Sequence, residues 1–377
     1  MSTFAGDDLI FAYALLQAVA AVLAVRFLDL YEREPMALVA LMFVWGAVGA
    51  AIIASAGNSA LEGQLPRDID RVYGPAISAP VIEELAKGLA LLIVFFASRW
   101  AYKRFGLFEF DGVTDGIVYG AAIGIGFAFT EDLFYFFRDA RMNGLADALN
   151  VFVDRRDFFG PATLRHGIWT ATFGAGLGLA THSRRWYGKL GWPALGMVLA
   201  MLMHAVNNGL TPILLSIKYG FQTTYDYLAI GVPVSLADRM DASVASAEDT
   251  LRIISWAYVV AFFVGVAFWL RHQRRVIAAQ LEDEVELGLI SEEEARVAGS
   301  FTRRSAYEWR QVRAGDLDAA RGTSALCREL AELAFTKDRL RGSPDSGPEI
   351  ERRRERVRDV LIELHPHQAP VAERASP

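Results

Sequence analysis

Within a mostly apolar stretch from Tyr73 to Ala97, the segment PVIEELAKGL sets Glu83, Glu84 and Lys87 within five positions. An ionisable group in a bilayer core costs about 2.5–3.5 kcal/mol on insertion scales and usually marks function. Three later apolar segments carry similar residues. Glu131 and Asp132 follow Phe127 in FAFTED, Arg165 and His166 open RHGIWTATFG, and His204, Asn207 and Asn208 lie in HAVNN. Residues four apart share a helix face. Glu83 therefore aligns with Lys87, Phe127 with Glu131, His166 with Thr170 and Gly174, and His204 with Asn208.

The chemistry open to such a set is activation of water. Glu83 or Glu84 can serve as general base, while His204 and Asn208 hold or polarise a carbonyl oxygen. Alternatively, His166, His204 and Glu131 can ligate a divalent metal such as zinc, which makes its bound water acidic. There is no HExxH motif and no GxSxG element in these segments, and the single cysteine, Cys327, lies far along the chain. Serine and cysteine chemistry are disfavoured, and no intrachain disulfide can form. Each residue also has a plainer role: Asn207 and Asn208 as glue between helices, His166 as an interfacial residue, Lys87 as an ion-pair partner rather than a base. Those plain roles do not account for carboxylates and imidazoles gathered at one depth.

That depth comes from the elements that must carry them. Seven apolar runs are long enough to span a bilayer as helices: 9–28, 36–57, 75–98, 113–137, 161–181, 192–215 and 251–270. The expected fold is all-α, a polytopic bundle of about seven transmembrane helices with a helical soluble C-terminal tail. The first run follows Asp7 and Asp8 and lacks the basic n-region of a signal peptide, so it reads as a retained span. Consecutive spans run in opposite directions. At about 1.5 Å per residue, Glu83 lies about 12 Å from the outer end, Glu131 about 9 Å, His166 about 7 Å and His204 about 16 Å. With span ends set only to within a turn of about 5.4 Å, these depths can share one layer in the outer half of the membrane. Glycines at four-residue spacing, Gly116, Gly120 and Gly124 and then Gly174 and Gly178, suit close helix packing and need no chemistry.

Charge separates two regions: 43 of the first 270 residues are charged, against 39 of the last 107. The expected division is a membrane domain, 1–270, and a charged helical tail, 271–377, ending in disorder after His365. No basic block suggests nucleic acid. Basic residues recur beside alternate connections: Arg26 and Arg33; Arg99, Lys103 and Arg104; Arg184, Arg185 and Lys189; then Arg271, Arg274 and Arg275. By the positive-inside rule these face the cytoplasm, which places the N-terminus outside and the tail inside. The stretch YLAIGVPVSLA within 216–250 is a possible interfacial or re-entrant segment, and an eighth span there would flip the tail. In the tail, Ser291 and Glu294 fit a capping box, a helix is expected over about 316–341, GSPDSGP at 342–348 is a linker, and EIERRRERVRDVLIEL is an amphipathic helix.

Taken in order, YEREP at 31–35, EELAK at 83–87, FAFTED at 127–132, HGIWTATFG at 166–174 and HAVNN at 204–208 resemble the motifs of the PrsW family of intramembrane proteases. That family is related more distantly to the CAAX-processing and bacteriocin-protecting proteases. The resemblance covers about residues 25–215; EExxK, and Glu131 where the CAAX group carries His, favour PrsW. It implies a protease of the cell membrane that cuts membrane-anchored proteins, such as anti-sigma factors, near the outer face. Glu83 and Glu84 would then handle the water, with His166, His204 and Glu131 as partners, by metal or glutamate-only chemistry. The competing reading is an ion- or proton-coupled transporter, because buried ionisable residues also line ion paths. The motifs, and the absence of a clear inverted repeat, count against it. A scaffold would leave Glu83, Glu84, His166 and His204 unexplained.

Overall fold

The computed structural model describes residues 2–31, 34–105, 110, 112–144, 162–229, 231–341 and 346–364. Glu32 and Arg33 of YEREP, residues 342–345 of the expected linker, and the end of the chain from 365 lie outside them. Every element among the described residues is helical. Two compact units form: Met1–Leu28 with Glu34–Phe263, and Asp29–Arg33 with Val264–Pro377.

In the first unit, α1 is Ser2–Arg26 and α2 is Met36–Leu61, whose middle, Trp45–Ala50, is wound as a π-helix. The short α3, Arg67–Tyr73, leads through a π turn, Gly74–Ser78, into α4, Ala79–Phe105. Then come α5, Val113–Asn143; α6, Ala162–His182; α7, Trp186–Tyr219; and α8, Phe221–Ala229. The long α9, Val234–Gln280, begins well before the span expected at 251–270. Its first turns are rich in Ala, Ser and Asp, too polar to read as a span but well able to form helix.

Among the described residues, five helical segments are long and apolar enough to cross a membrane: Asp8–Arg26, Met36–Leu61, Val113–Asn143, Trp186–Tyr219 and Val234–Glu286. The protein is a multi-pass membrane protein. Of the seven expected runs, those on α4 and α6 fall short of this apolarity. Glu83, Glu84 and Lys87 interrupt the first, while Arg165, His166 and many small residues dilute the second. α5 is the central helix: 89% of its most apolar window is buried, against 22% for α1 and α2, which leave Leu16, Leu41 and Ile52 facing outward.

α5 and α6 pack backbone to backbone along a glycine ridge. A Cβ added to Gly116 would lie 2.0 Å from the carbonyl oxygen of Gly174, and one added to Gly124 would lie 2.1 Å from that of His166. Small residues at this spacing allow close approach without water to drive association.

The second unit builds its own core from Ile277, Leu281, Leu330, Leu333 and Val357, with the Tyr31 ring among them. Its helices after α9 are α10, Glu282–Glu286; α11, Glu292–Ala298; α12, Phe301–Arg313; α13, Leu317–Arg339; and α14, Ser346–Leu364. α11 starts with the capping box: Glu294 N–H donates to Ser291 Oγ at 3.2 Å, and Ser291 N–H donates to Glu294 Oε2 at 2.7 Å. Fully buried Glu284 accepts from Lys337 at 2.7 Å and Arg354 at 2.9 Å. Cys327 is buried, and burial pushes its thiol up to about 12, so it stays protonated and unreactive at neutral pH.

Candidate active site

The site lies where α4, α5, α6 and α7 face one another. Glu83, Glu84 and Lys87 come from the second turn of α4 onward, Glu131 from α5, His166 from α6 and His204 from α7. All but Glu131 are buried; its side chain keeps 19% exposure. Glu83 and His204, 121 positions apart in sequence, approach to 3.6 Å. Around them sits an aromatic wall. Trp169 stacks on His204 at 4.5 Å between ring centroids, and the Lys87 ammonium sits 4.0 Å from the centre of the Phe127 ring.

Donor and acceptor chemistry fixes who holds each proton. An ammonium only donates. Lys87 Nζ therefore donates to Glu84 Oε1 at 2.8 Å and to His166 Nδ1 at 2.9 Å. With Nδ1 accepting, neutral His166 carries its proton on Nε2, which lies 3.0 Å from Glu131 Oε2 and donates to it. The same carboxylate oxygen of Glu84 meets His204 Nδ1 at 2.9 Å, and Thr170 Oγ1 donates to Oε2 at 3.2 Å. His204 thus carries a proton on Nδ1, and in the neutral ring its Nε2 presents a lone pair. Glu84 is spent on three donors. Glu83 is not: its Oε2 and His204 Nε2, both buried, have no hydrogen-bond partner. With the His204 ring neutral, two acceptor atoms face each other, and the Lys87 ammonium stands 3.9 Å from Glu83 Oε2, beyond hydrogen-bond reach.

Two clefts reach this centre. One, about 740 Å³, has Ala54, Ser55, Gly74, Glu83 and Phe127 in its wall. The other, about 470 Å³, has Arg165, His166, Asn207, Glu248 and Leu251. Pro75, Glu131, Tyr135 and Asn208 line both. α7 opens at this border. Gly209 leaves helical geometry at φ 167° and ψ 29°, and Pro212, lacking an N–H, cannot bond the Asn208 carbonyl four residues back.

Residues 34–237 match the family model described as PrsW family intramembrane metalloprotease. The match covers more than half of the chain. The protein belongs to the PrsW family. It is accordingly a membrane peptidase of a family that acts on membrane-anchored proteins within the bilayer. No curated protein and no solved structure matches the chain.

The PrsW name implies a metal, and the donor set fits one. Glu83, His166 and His204 each offer a ligand atom, all within 4.8 Å of one another. The orphaned Glu83 Oε2 and His204 Nε2 are what a cation would satisfy, and Glu84 holds His204 by its other nitrogen, as outer-shell carboxylates do for metal-binding histidines. This set takes Glu83 where the sequence suggested Glu131; His166 joins it only by releasing Lys87 at Nδ1 or Glu131 at Nε2.

Some residues of the site carried signals that single motifs do not convey. Trp169 is one turn from His166, and Tyr135 one turn from Glu131. Asn207 accepts from Arg165, so both belong to the cleft wall. Leu251 and Tyr258 of α9 pack on Trp169 and Met203, and Tyr258 hydrogen-bonds Thr172; the helix lies largely beyond the family match.

Proposed function

We propose that the enzyme hydrolyses a peptide bond of a membrane-anchored protein with water held between Glu83 and His204. One observation carries this: two buried acceptors, Glu83 Oε2 and His204 Nε2, 3.6 Å apart and lacking a donor, beside two open clefts. A water offers each a proton. As its oxygen attacks the scissile carbonyl carbon, one proton passes to Glu83, and the other remains directed at His204. The carbonyl oxygen takes the negative charge, and the Asn208 Nδ2–H donates to it. When the C–N bond breaks, the leaving nitrogen takes the proton from Glu83, which returns to its ionised form. Glu131, the most exposed carboxylate, faces the emerging amine across the cleft it shares with His166. Glu84 and Lys87 orient the two imidazoles. A divalent metal held by Glu83, His204 and His166 would supply Lewis-acid polarisation of the water at this place.

The wider reading has seven spans, with α4 and α6 crossing alongside the five most apolar segments, a membrane domain over 1–270 and a cytoplasmic soluble tail over 271–377. It puts the N-terminus and the site toward the outer face. It takes the substrate to be of the anti-sigma-factor kind, by family resemblance.

The test is isosteric. Glu83→Gln should abolish cleavage of a membrane-anchored substrate, by about 10²–10⁴-fold for loss of a general base, in a protein that still inserts and melts normally. Cleavage by Glu83→Gln at the wild-type rate would remove the water from this position. Chelation separates the routes: activity lost and restored by zinc assigns a metal, and activity indifferent to chelator assigns glutamate-only catalysis.

A further inference from the structure

We propose that Arg165 and Asn207 are positioning residues that aim the amide of Asn208 at the substrate carbonyl, an inference that rests on the oxyanion role given to Asn208 above. Arg165 Nη1 donates to Asn207 Oδ1, and Asn207 Nδ2 donates to Asn208 Oδ1 at 3.1 Å. The order of this chain is not free. A guanidinium carries donors only, so it selects the amide orientation of Asn207 that presents oxygen to it. The NH₂ of Asn207 must then point the other way, toward Asn208. That NH₂ in turn selects the orientation in which Asn208 offers its oxygen inward. The Asn208 NH₂ is left for the two clefts that Asn208 borders, one walled by Glu83 and the other by His166.

The backbone supports this aim. Pro212 and Gly209 open α7 immediately after Asn208, so its side chain sits at a break rather than in a closed turn. Arg165 is 8% exposed and adjoins His166 on α6, and Asn207 follows His204 by three residues on α7. The chain therefore ties the amide donor to the same two helices that carry the imidazoles. A preset donor is worth most where charge develops, because it costs no reorganisation as the carbonyl oxygen becomes negative.

The experiment is a double-mutant cycle on the full-length enzyme in proteoliposomes, read with a fluorogenic transmembrane peptide that the wild type cleaves. Asn208→Ala should lower kcat by about 10²–10³-fold, as for removal of one oxyanion donor. Asn207→Asp keeps an acceptor for Arg165 but sets an acceptor against Asn208 Oδ1. It should lower kcat roughly tenfold or more, a share of that donor's worth, with KM nearly unchanged. In the Asn208→Ala background it should add almost nothing, because the group it positions is gone. If Asn207→Asp instead costs the same factor with and without Asn208, the relay is wrong and Asn207 acts on its own. If Asn207→Asp alone is silent, the relay is also wrong. If Asn208→Ala is silent, the oxyanion role fails together with the inference, while the Glu83 assignment stands on its own test. Should Asn207→Asp not fold, Arg165→Met, which removes the donors that select the Asn207 orientation, completes the same cycle with the same criterion of non-additivity.

Discussion

At the scale of single residues, the two neighbouring glutamates of EELAK are not equivalent. Glu84 accepts from Lys87, His204 and Thr170, so its lone pairs are committed to orientation. Glu83 keeps an oxygen that accepts no hydrogen bond, 3.9 Å from the Lys87 ammonium, and a place in the larger cleft. Lys87 is the hinge of this asymmetry. It is fully buried, neutralises Glu84 and fixes the tautomer of His166. Lys87→Met should therefore act on stability before chemistry. It leaves a buried carboxylate without its cation, a loss of roughly 3–5 kcal/mol for broken buried pairs. Purified yield and melting temperature in detergent should both fall sharply. A Lys87→Met protein as abundant and as stable as wild type would show that Glu84 is neutral without its partner.

At the scale of elements, the placement of His166 depends on what α5 lacks. Gly124 lets the α6 backbone come close enough that a Cβ would lie 2.1 Å from the His166 carbonyl oxygen. Backbone cannot rotate aside as a side chain can, so α6 must shift. Gly124→Ala should destabilise the bundle by about 1–3 kcal/mol, the usual range for overpacking. Activity should fall further than the folded fraction does, because His166 moves relative to Lys87 and Glu131. Gly191→Ala is the matched control: nothing lies within 4 Å of its Cβ position, so neither melting nor cleavage should change appreciably. Equal behaviour of the two variants would mean that the glycine ridge does not position the site.

At the scale of the whole molecule, orientation is an electrostatic question. The basic residues beside alternate connections, ending with Arg271, Arg274 and Arg275, predict a cytoplasmic C-terminal tail. An epitope at the C-terminus should be protected from added protease in right-side-out vesicles and digested in inverted ones. Digestion from outside intact cells would refute the seven-span topology. The tail region has the means to fold around its own core. Its apolar residues Leu281, Leu330 and Leu333 are fully buried, and Glu284 holds two cations within it.

The sequence by itself determined the helical class, the membrane setting, the family motifs and the identity of the polar residues that meet. Composition, run length and four-residue periodicity are local properties, and the bilayer converts them directly into helices and exposed apolar faces. It also carried the capping box at Ser291 and Glu294, because a cap is a contact between near neighbours. Only the tertiary structure decided how those residues divide their roles. Which glutamate is committed, which nitrogen of each imidazole bears the proton, and which way Asn208 points all depend on donors from other helices. Residue types do not encode those approaches. The early start of α9, and its Glu248 and Leu251 in the cleft wall, were likewise invisible, because a polar first stretch hides a helix that packing, not hydropathy, holds in place.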